Sequence, residues 1–151
     1  MLANDPAAQR WFPTERVIAD DEPGLGPLGG IGTALRVANG LGLIVLAWDM
    51  PFVPAELLAA LRRRGGAGAD AVVPVHGGQR EPLCAWYSAD ALTVCRRLLE
   101  GGERRAVALA DALRNVEWLH DTALAPFGDP ASIFTSVDTP EGLAALGGAH
   151  P

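Results

Sequence analysis

The sequence has few of the features that identify membrane, secreted or nucleic-acid-binding proteins. Its 151 residues include only two cysteines, Cys84 and Cys95, whose spacing fits neither a metal site nor a disulfide framework. No apolar stretch approaches the roughly 20 residues of a membrane span, and the start lacks the basic and apolar regions of a signal peptide. The net charge is −6 and no basic run exceeds three arginines, which argues against nucleic-acid binding. We therefore expect a reduced, cytoplasmic protein with no membrane or nucleic-acid partner.

Strand and helix patterns alternate along the chain. With 49% hydrophobic and 20% charged residues, the composition is that of one globular domain. Strands are predicted near residues 16–19, 43–48, 70–75, 81–87, 116–119 and 133–134, and helices near 7–12, 31–39, 54–64, 89–99, 105–113 and 139–147. Because strands alternate with helices, we predict an α/β fold with a mostly parallel sheet.

One predicted strand leads directly into an acid. Residues 43–48 are six consecutive apolar residues, and Asp49 and Pro51 follow closely. A short run without alternation is typical of a strand buried on both faces, and pairing should end near Pro51, which has no N–H to donate. Asp49 is then expected at the carboxyl end of a central strand, where open α/β sheets bind ligands. A turn cap is the other interpretation that this stretch allows.

A glycine-rich loop precedes that strand. Residues 24–29 fit the pattern G-x-G-x-x-G, and Asp49 lies 20 residues after Gly29, as in a dinucleotide-binding βαβ unit. Three features oppose this reading. Residues 20–23 separate the loop from the preceding strand pattern, three of those four are acids that would repel a pyrophosphate, and Pro27 removes one N–H group. A tightly packed turn without a ligand is the remaining interpretation.

Acids also follow several predicted strands. Asp20 or Asp21, Asp49 and Asp138 occupy such positions, and carboxylates there suit Mg²⁺, which shares its other coordination positions with water and phosphate. Each of these acids could instead cap a turn or a helix.

Three arginines lie on or next to glycine-rich loops. They are Arg80, Arg104 and Arg105, and they could bind phosphate or carboxylate groups or remain solvated surface charges. The three histidines have no ligand spacing, and none is predicted to be catalytic.

Together these segments resemble the molybdenum cofactor guanylyltransferase (MobA-like) family. The blocks that carry the resemblance follow the family's order and cover nearly the whole chain; they are residues 17–20, 26–31, 46–52, 81–85, 102–105 and 134–141. The resemblance implies a three-layer α/β/α, Rossmann-like nucleotidyltransferase fold. It also implies Mg²⁺-dependent transfer of GMP from GTP to molybdopterin, with release of pyrophosphate and with molybdoenzyme maturation proteins as further partners. The alternatives are another small-molecule nucleotidyltransferase, using CTP or a sugar phosphate, or a non-catalytic dinucleotide-binding module.

The resemblance also implies roles for individual residues. Asp49 would be the catalytic acid that holds Mg²⁺, with Asp138 as a second metal ligand. The nucleotide would contact Asn4, Asp20, Gly26, Pro27, Leu28, Gly29 and Gly30. The acceptor would contact Arg80, Arg104 and Arg105. Ser136 stands where the family carries an asparagine.

The sequence departs from the family at its start. The family begins with a strand and the loop L-A-G-G-x-S-x-R-M-G followed by a lysine, which cradles the triphosphate; this sequence has neither that loop nor any lysine. We therefore expect residues 1–151 to form a single nucleotidyltransferase domain that lacks the first βα unit, an N-terminally truncated chain with weak or no activity.

Overall fold

The computed structural model describes Arg10 and residues 17–137. The helices are α1 (Gly26–Val37), α2 (Ala55–Gly65), α3 (Ala91–Glu100), α4 (Ala106–Ala112) and the short α5 (Asp121–Leu124) and α6 (Pro130–Ile133). The strands are β1 (Leu43–Leu46), β2 (Ala71–His76), β3 (Gln79–Arg80), β4 (Cys84–Tyr87) and β5 (Val116–His120). A 3₁₀ turn at Ala125–Phe127 joins α5 to α6.

The five strands form one mixed sheet that is mostly antiparallel. β1 pairs with β4, and β2 pairs with both β4 and β3, all antiparallel, while only the β2–β5 pairing is parallel. The α/β class predicted from sequence is confirmed, but the prediction of a mostly parallel sheet is wrong. The reason is the return of the chain after β2, which turns through Gly77 and Gly78, both at positive φ, and lays β4 between β1 and β2.

Helices cover both faces of this sheet, because successive strand residues enter different cores. Val73 packs with α1, α3 and α4 on one face, whereas its neighbour Val72 packs with α2, α5 and α6 on the other. The first core contains Leu28, Ile31, Leu35, Ala71, Val73, Ala85, Tyr87, Ala91, Cys95, Ala106, Leu109 and Ala110. The second contains Leu57, Leu61, Val72, Cys84, Trp86, Leu119, Leu124 and Ile133.

Several local predictions are also corrected. Residues 26–30 were predicted as a loop but form the first part of α1. Residues 133–134 were predicted as a strand, but residue 133 is the last residue of α6 and residue 134 follows it. β1 is only partly buried, with Leu46 41% exposed, so it is not a strand covered on both faces. The strand near residues 16–19 is reduced, in the described part, to a bridge at Ile18.

Some predictions fall outside the described residues. These are Asn4, Asp138 and the last helix near residues 139–147; of the first helix only Arg10 is described, and it is helical. Among the described residues, no helix is long and apolar enough to cross a membrane.

Candidate functional site

The carboxyl ends of three strands meet at one edge of the sheet. Because β4 is antiparallel to both β1 and β2, and β5 is parallel to β2, strands β1, β2 and β5 all point the same way. Asp49 follows β1, His76 ends β2, and Asp121 follows β5. The candidate site is therefore built at the edge where strand ends place polar side chains.

A cleft of about 920 Å³ opens beside β1. On one side it is lined by Asp20 and by the start of α1, and on the other by β1 and the turn that carries Trp48 and Asp49. Of the residues assigned to nucleotide binding from sequence, those that line the cleft are Asp20, Gly26, Pro27 and Gly30. Leu28 is instead fully buried in the first core, and a Cβ on Gly29 would lie 2.5 Å from Leu25 Cβ.

Asp49 is held by a segment that the sequence did not connect with it. The Ser136 hydroxyl donates to Asp49 Oδ2 at 2.5 Å, and the Val137 N–H donates to the Asp49 carbonyl oxygen at 2.8 Å. Among the described residues, Oδ1 of Asp49 accepts no hydrogen bond. The carboxylate is thus oriented on one oxygen and leaves the other for a ligand.

The two neighbouring acids before α1 have different positions. Asp21 accepts two hydrogen bonds from the guanidinium of Arg36, each 2.5 Å long, and its N–H donates to the buried Thr33 hydroxyl at 3.1 Å. The hydrogen bond from Arg36 lowers the pKa of Asp21. Asp20 lines the cleft, with Oδ1 3.7 Å from a Cβ built on Gly30. Of these two acids, which the sequence left as alternatives, Asp20 lines the cleft and Asp21 does not belong to its described lining.

The start of α1 is poorly suited to bind a pyrophosphate. Pro27 has no N–H, Leu28 N–H donates to the Arg104 carbonyl oxygen at 3.1 Å, and Gly29 N–H donates to Leu25 O at 3.3 Å. Of these first four helical positions, only Gly26 keeps an N–H with no acceptor among the described residues. Dinucleotide-binding folds rely on free N–H groups at this helix end, so the occupied N–H groups of Leu28 and Gly29 argue against the dinucleotide-binding interpretation of G-x-G-x-x-G.

The three candidate arginines lie outside the described lining of the cleft, and each has an internal partner. Arg80 pairs with Asp111, and its guanidinium lies 5.8 Å from the centroid of the Trp118 ring. Arg105 pairs with Glu103 at 2.7 Å, and Arg104 donates to the carbonyl oxygens of Leu99 and Glu103.

The arginines also fall into two groups. Arg104 and Arg105 precede α4 directly, whereas Asp111, the partner of Arg80, lies near its other end, about 9 Å away along the helix axis. The hydrogen bond from the Arg105 side chain, together with those from the backbone N–H groups of Arg105 and Arg104, lowers the pKa of Glu103 to about 2.

Three other titratable side chains, two cysteines and one histidine, are held within the fold by burial or by contacts with neighbouring residues. Cys84 and Cys95 are fully buried, and burial raises the pKa of Cys84 to about 12 and that of Cys95 to about 11. His76 Nδ1 lies 3.2 Å from Asp121 Oδ1, and its ring stacks on Phe134 with centroids 6.1 Å apart.

The described residues could bind Mg²⁺ only together with further ligands that a substrate supplies. No cluster of three or more potential metal ligands occurs among residues 17–137, so this part of the chain offers no cage of its own. One oriented carboxylate with a free oxygen does suit Mg²⁺, which keeps waters and binds through one or two carboxylates together with substrate phosphates.

A mixed sheet covered by helices on both faces, with a cleft between a glycine-rich helix start and a strand-end aspartate, defines an α/β domain whose candidate ligand site lies at the carboxyl edge of its sheet. A family model of the MobA-like NTP transferase domain matches residues 1–117. The chain belongs to this family, and the resemblance noted in its sequence is confirmed.

Individual relatives support the assignment. Probable molybdenum cofactor guanylyltransferases of Chloroflexus aggregans and Bacillus subtilis are 38% and 33% identical to this chain, over 78% and 86% of its length and 57% and 64% of theirs. The crystal structure of molybdopterin-guanine dinucleotide biosynthesis protein A from Archaeoglobus fulgidus superposes with a TM-score of 0.77 at 30% identity, covering 95% of this chain and 74% of that one. The chain thus spans little more than half the length of the first of these relatives.

Proposed function

We propose that this chain binds a nucleoside triphosphate with Mg²⁺ and transfers GMP from GTP to molybdopterin. The observation that carries the proposal is the meeting of Asp20, the start of α1 and Asp49 in one cleft at the carboxyl edge of the sheet. The names of the relatives supply the substrate class, since those proteins are probable molybdenum cofactor guanylyltransferases.

In the proposed reaction an oxygen of the acceptor's terminal phosphate attacks the α-phosphorus of GTP. The bond between the α-phosphorus and the bridging oxygen breaks, and pyrophosphate leaves. Bound Mg²⁺ would neutralise the charge that develops on the triphosphate. Asp49 would hold the cation through its free oxygen, while Ser136 keeps the carboxylate oriented.

The remaining roles follow the position of each residue. Asp20, Gly26, Pro27 and Gly30 would line the nucleoside side of the cleft. Leu28 and Gly29 would act indirectly, by packing the start of α1 against the core. Asn4 and Asp138 stay assigned to nucleotide and metal binding on the resemblance alone.

The arginines would bind an acceptor only by exchanging partners. A phosphate that reaches Arg80 would replace Asp111, and one that reaches Arg105 would replace Glu103. Both ion pairs have exposed arginine side chains, and such pairs contribute little to stability, so the exchange would have a small energetic cost.

The test is a titration of GTP into the chain with and without Mg²⁺. Asp49→Asn should weaken Mg²⁺-dependent GTP binding at least tenfold, because metal-mediated charge stabilisation is worth several kcal/mol. Asp121→Asn is the matched control, since this acid lies at the same sheet edge, is bound by His76 and is outside the cleft lining. Unchanged GTP affinity in Asp49→Asn would reject the role of Asp49.

Two further ligands separate the alternatives. Preference for CTP over GTP, or for a sugar phosphate as acceptor, would place the chain among other small-molecule nucleotidyltransferases. NAD binding that is independent of Mg²⁺ would favour the dinucleotide-binding module, which the occupied N–H groups at the start of α1 oppose.

A further inference from the structure

Trp48 is the most exposed large apolar side chain in the described part of the molecule. It is 82% exposed, and it belongs to neither hydrophobic core, whereas Trp86 and Trp118 both pack against one. An indole left in water next to a candidate site is unusual, because tryptophan is among the most hydrophobic side chains and is highly buried on average.

Trp48 lies where its indole can contact a small ligand in the cleft. It lines the cleft with its neighbour Asp49, and the other exposed large apolar residue of the described lining is Leu46. The cleft volume of about 920 Å³ falls in the range of small-molecule sites. The described lining combines an aromatic face, aliphatic side chains of β1 and two carboxylates, which suits a flat heterocycle joined to a metal-bound phosphate.

We propose that Trp48 is a stacking surface for the planar nitrogen heterocycle of a substrate, which rests on the proposed function. The two substrates of that function carry such rings, a purine in GTP and a pterin in the acceptor. Stacking on an aromatic side chain needs only a π-face and contributes roughly 5- to 150-fold in affinity per ring. The residue would thus favour a class of ring without making hydrogen bonds to it.

The experiment compares the purified chain with Trp48→Ala and Trp48→Phe by calorimetric titration. The probes are GTP with Mg²⁺, neopterin as a pterin without phosphate, and tripolyphosphate with Mg²⁺ as a ligand without a ring. Trp48→Ala should weaken at least one ring-containing probe about fivefold or more and leave tripolyphosphate unchanged. Trp48→Phe should retain most of the affinity. Loss for GTP alone identifies the purine as the stacked ring, and loss for neopterin alone identifies the pterin.

Leu41→Ala is the matched control, because Leu41 is 69% exposed and lies just before β1 but outside the cleft lining. This variant should bind every probe like the parent chain. Unchanged affinity for both ring-containing probes in Trp48→Ala overturns the Trp48 proposal and leaves the proposed function standing.

Two other outcomes are equally decisive. If Trp48→Ala instead abolishes self-association in light scattering without changing ligand affinity, the indole is a contact between copies and the proposal is wrong. If ring stacking depends on Trp48 but GTP binding needs neither Mg²⁺ nor Asp49, the stacking role stands and the proposed function fails.

Discussion

Replacing Ser136 by alanine tests whether the carboxylate of Asp49 must be oriented to bind its ligand. The variant removes the 2.5 Å hydrogen bond to Asp49 Oδ2 but keeps the backbone bond from Val137 N–H to the Asp49 carbonyl oxygen. The segment therefore stays attached, and stability should change little. A hydrogen bond to a charged group is worth about 1.5–3 kcal/mol. Ser136 is exposed and Asp49 is half-buried, so the lower end of this range applies.

The expected result is a fall in Mg²⁺-dependent GTP affinity of about tenfold, since the lower end of this range, about 1.5 kcal/mol, corresponds to slightly more than a factor of ten. Titration of GTP at fixed Mg²⁺ concentration measures this change. Ser136→Thr keeps the hydroxyl and should restore the affinity. Thr135→Val removes only the neighbouring 2.8 Å bond to Ala131 O and should bind like the parent. If Ser136→Ala binds GTP as tightly as the parent, the hydrogen bond does not position Asp49.

Two further substitutions test the packing of the fold. Gly65→Ala should lower the free energy of unfolding by about 1–3 kcal/mol, about 2–4 °C in Tm per kcal/mol, because its Cβ would lie 2.1 Å from Trp86 Cδ2. Gly66→Ala, whose Cβ would lie 3.5 Å from the nearest carbonyl oxygen, should show no such loss in thermal unfolding. Ser88→Ala should leave Tm unchanged or slightly higher, because its buried hydroxyl has no hydrogen-bond partner in the described part of the chain, and an unmatched buried donor is destabilising. A loss above about 1 kcal/mol would contradict this.

The helices and strands that sequence predicted well are those with local signals. The helix near residues 54–64 is observed as Ala55–Gly65, with Glu56 in its first turn and three arginines in its last, as the helix dipole favours. Ser88 shows the limit of such signals. A serine just before a predicted helix is a typical cap, but among the described residues the Ser88 hydroxyl has no hydrogen-bond partner, and the position before α3 is Asp90.

The glycines of residues 26–30 were predicted to form a loop because their role lies in tertiary packing, which the local sequence does not show. Two or more glycines in one segment favour a loop by propensity, yet these residues begin helix α1. A Cβ on Gly26 would lie 3.1 Å from the Arg104 carbonyl oxygen, and one on Gly32 would lie 3.1 Å from Cys95 Sγ. The glycines allow α1 to approach the segments around α3 and α4 closely, and no local pattern reveals such an approach.

The order of strands could not be predicted from local patterns either, yet Asp49 lies at the predicted edge of the sheet. The prediction that Asp49 ends a strand at the ligand-binding edge assumed a parallel sheet. Because β4 is antiparallel to both β1 and β2, and β5 is parallel to β2, strands β1, β2 and β5 run in the same direction. The carboxyl ends of these three strands therefore meet as they would in a parallel sheet, and Asp49 still follows one of them.

The charges around the cleft explain why the proposed ligand is a metal–nucleotide complex. The described lining contains the carboxylates Asp20 and Asp49 and no cationic side chain, while the three candidate arginines lie outside it with internal partners. A free triphosphate would be repelled by the Asp49 carboxylate. A single oriented carboxylate would bind free Mg²⁺ weakly, because this cation gives up its waters reluctantly. The complex avoids both costs, since its phosphates supply the missing ligands and its cation offsets the repulsion. On the proposed function, we therefore expect nucleotide to reach Asp49 already bound to Mg²⁺.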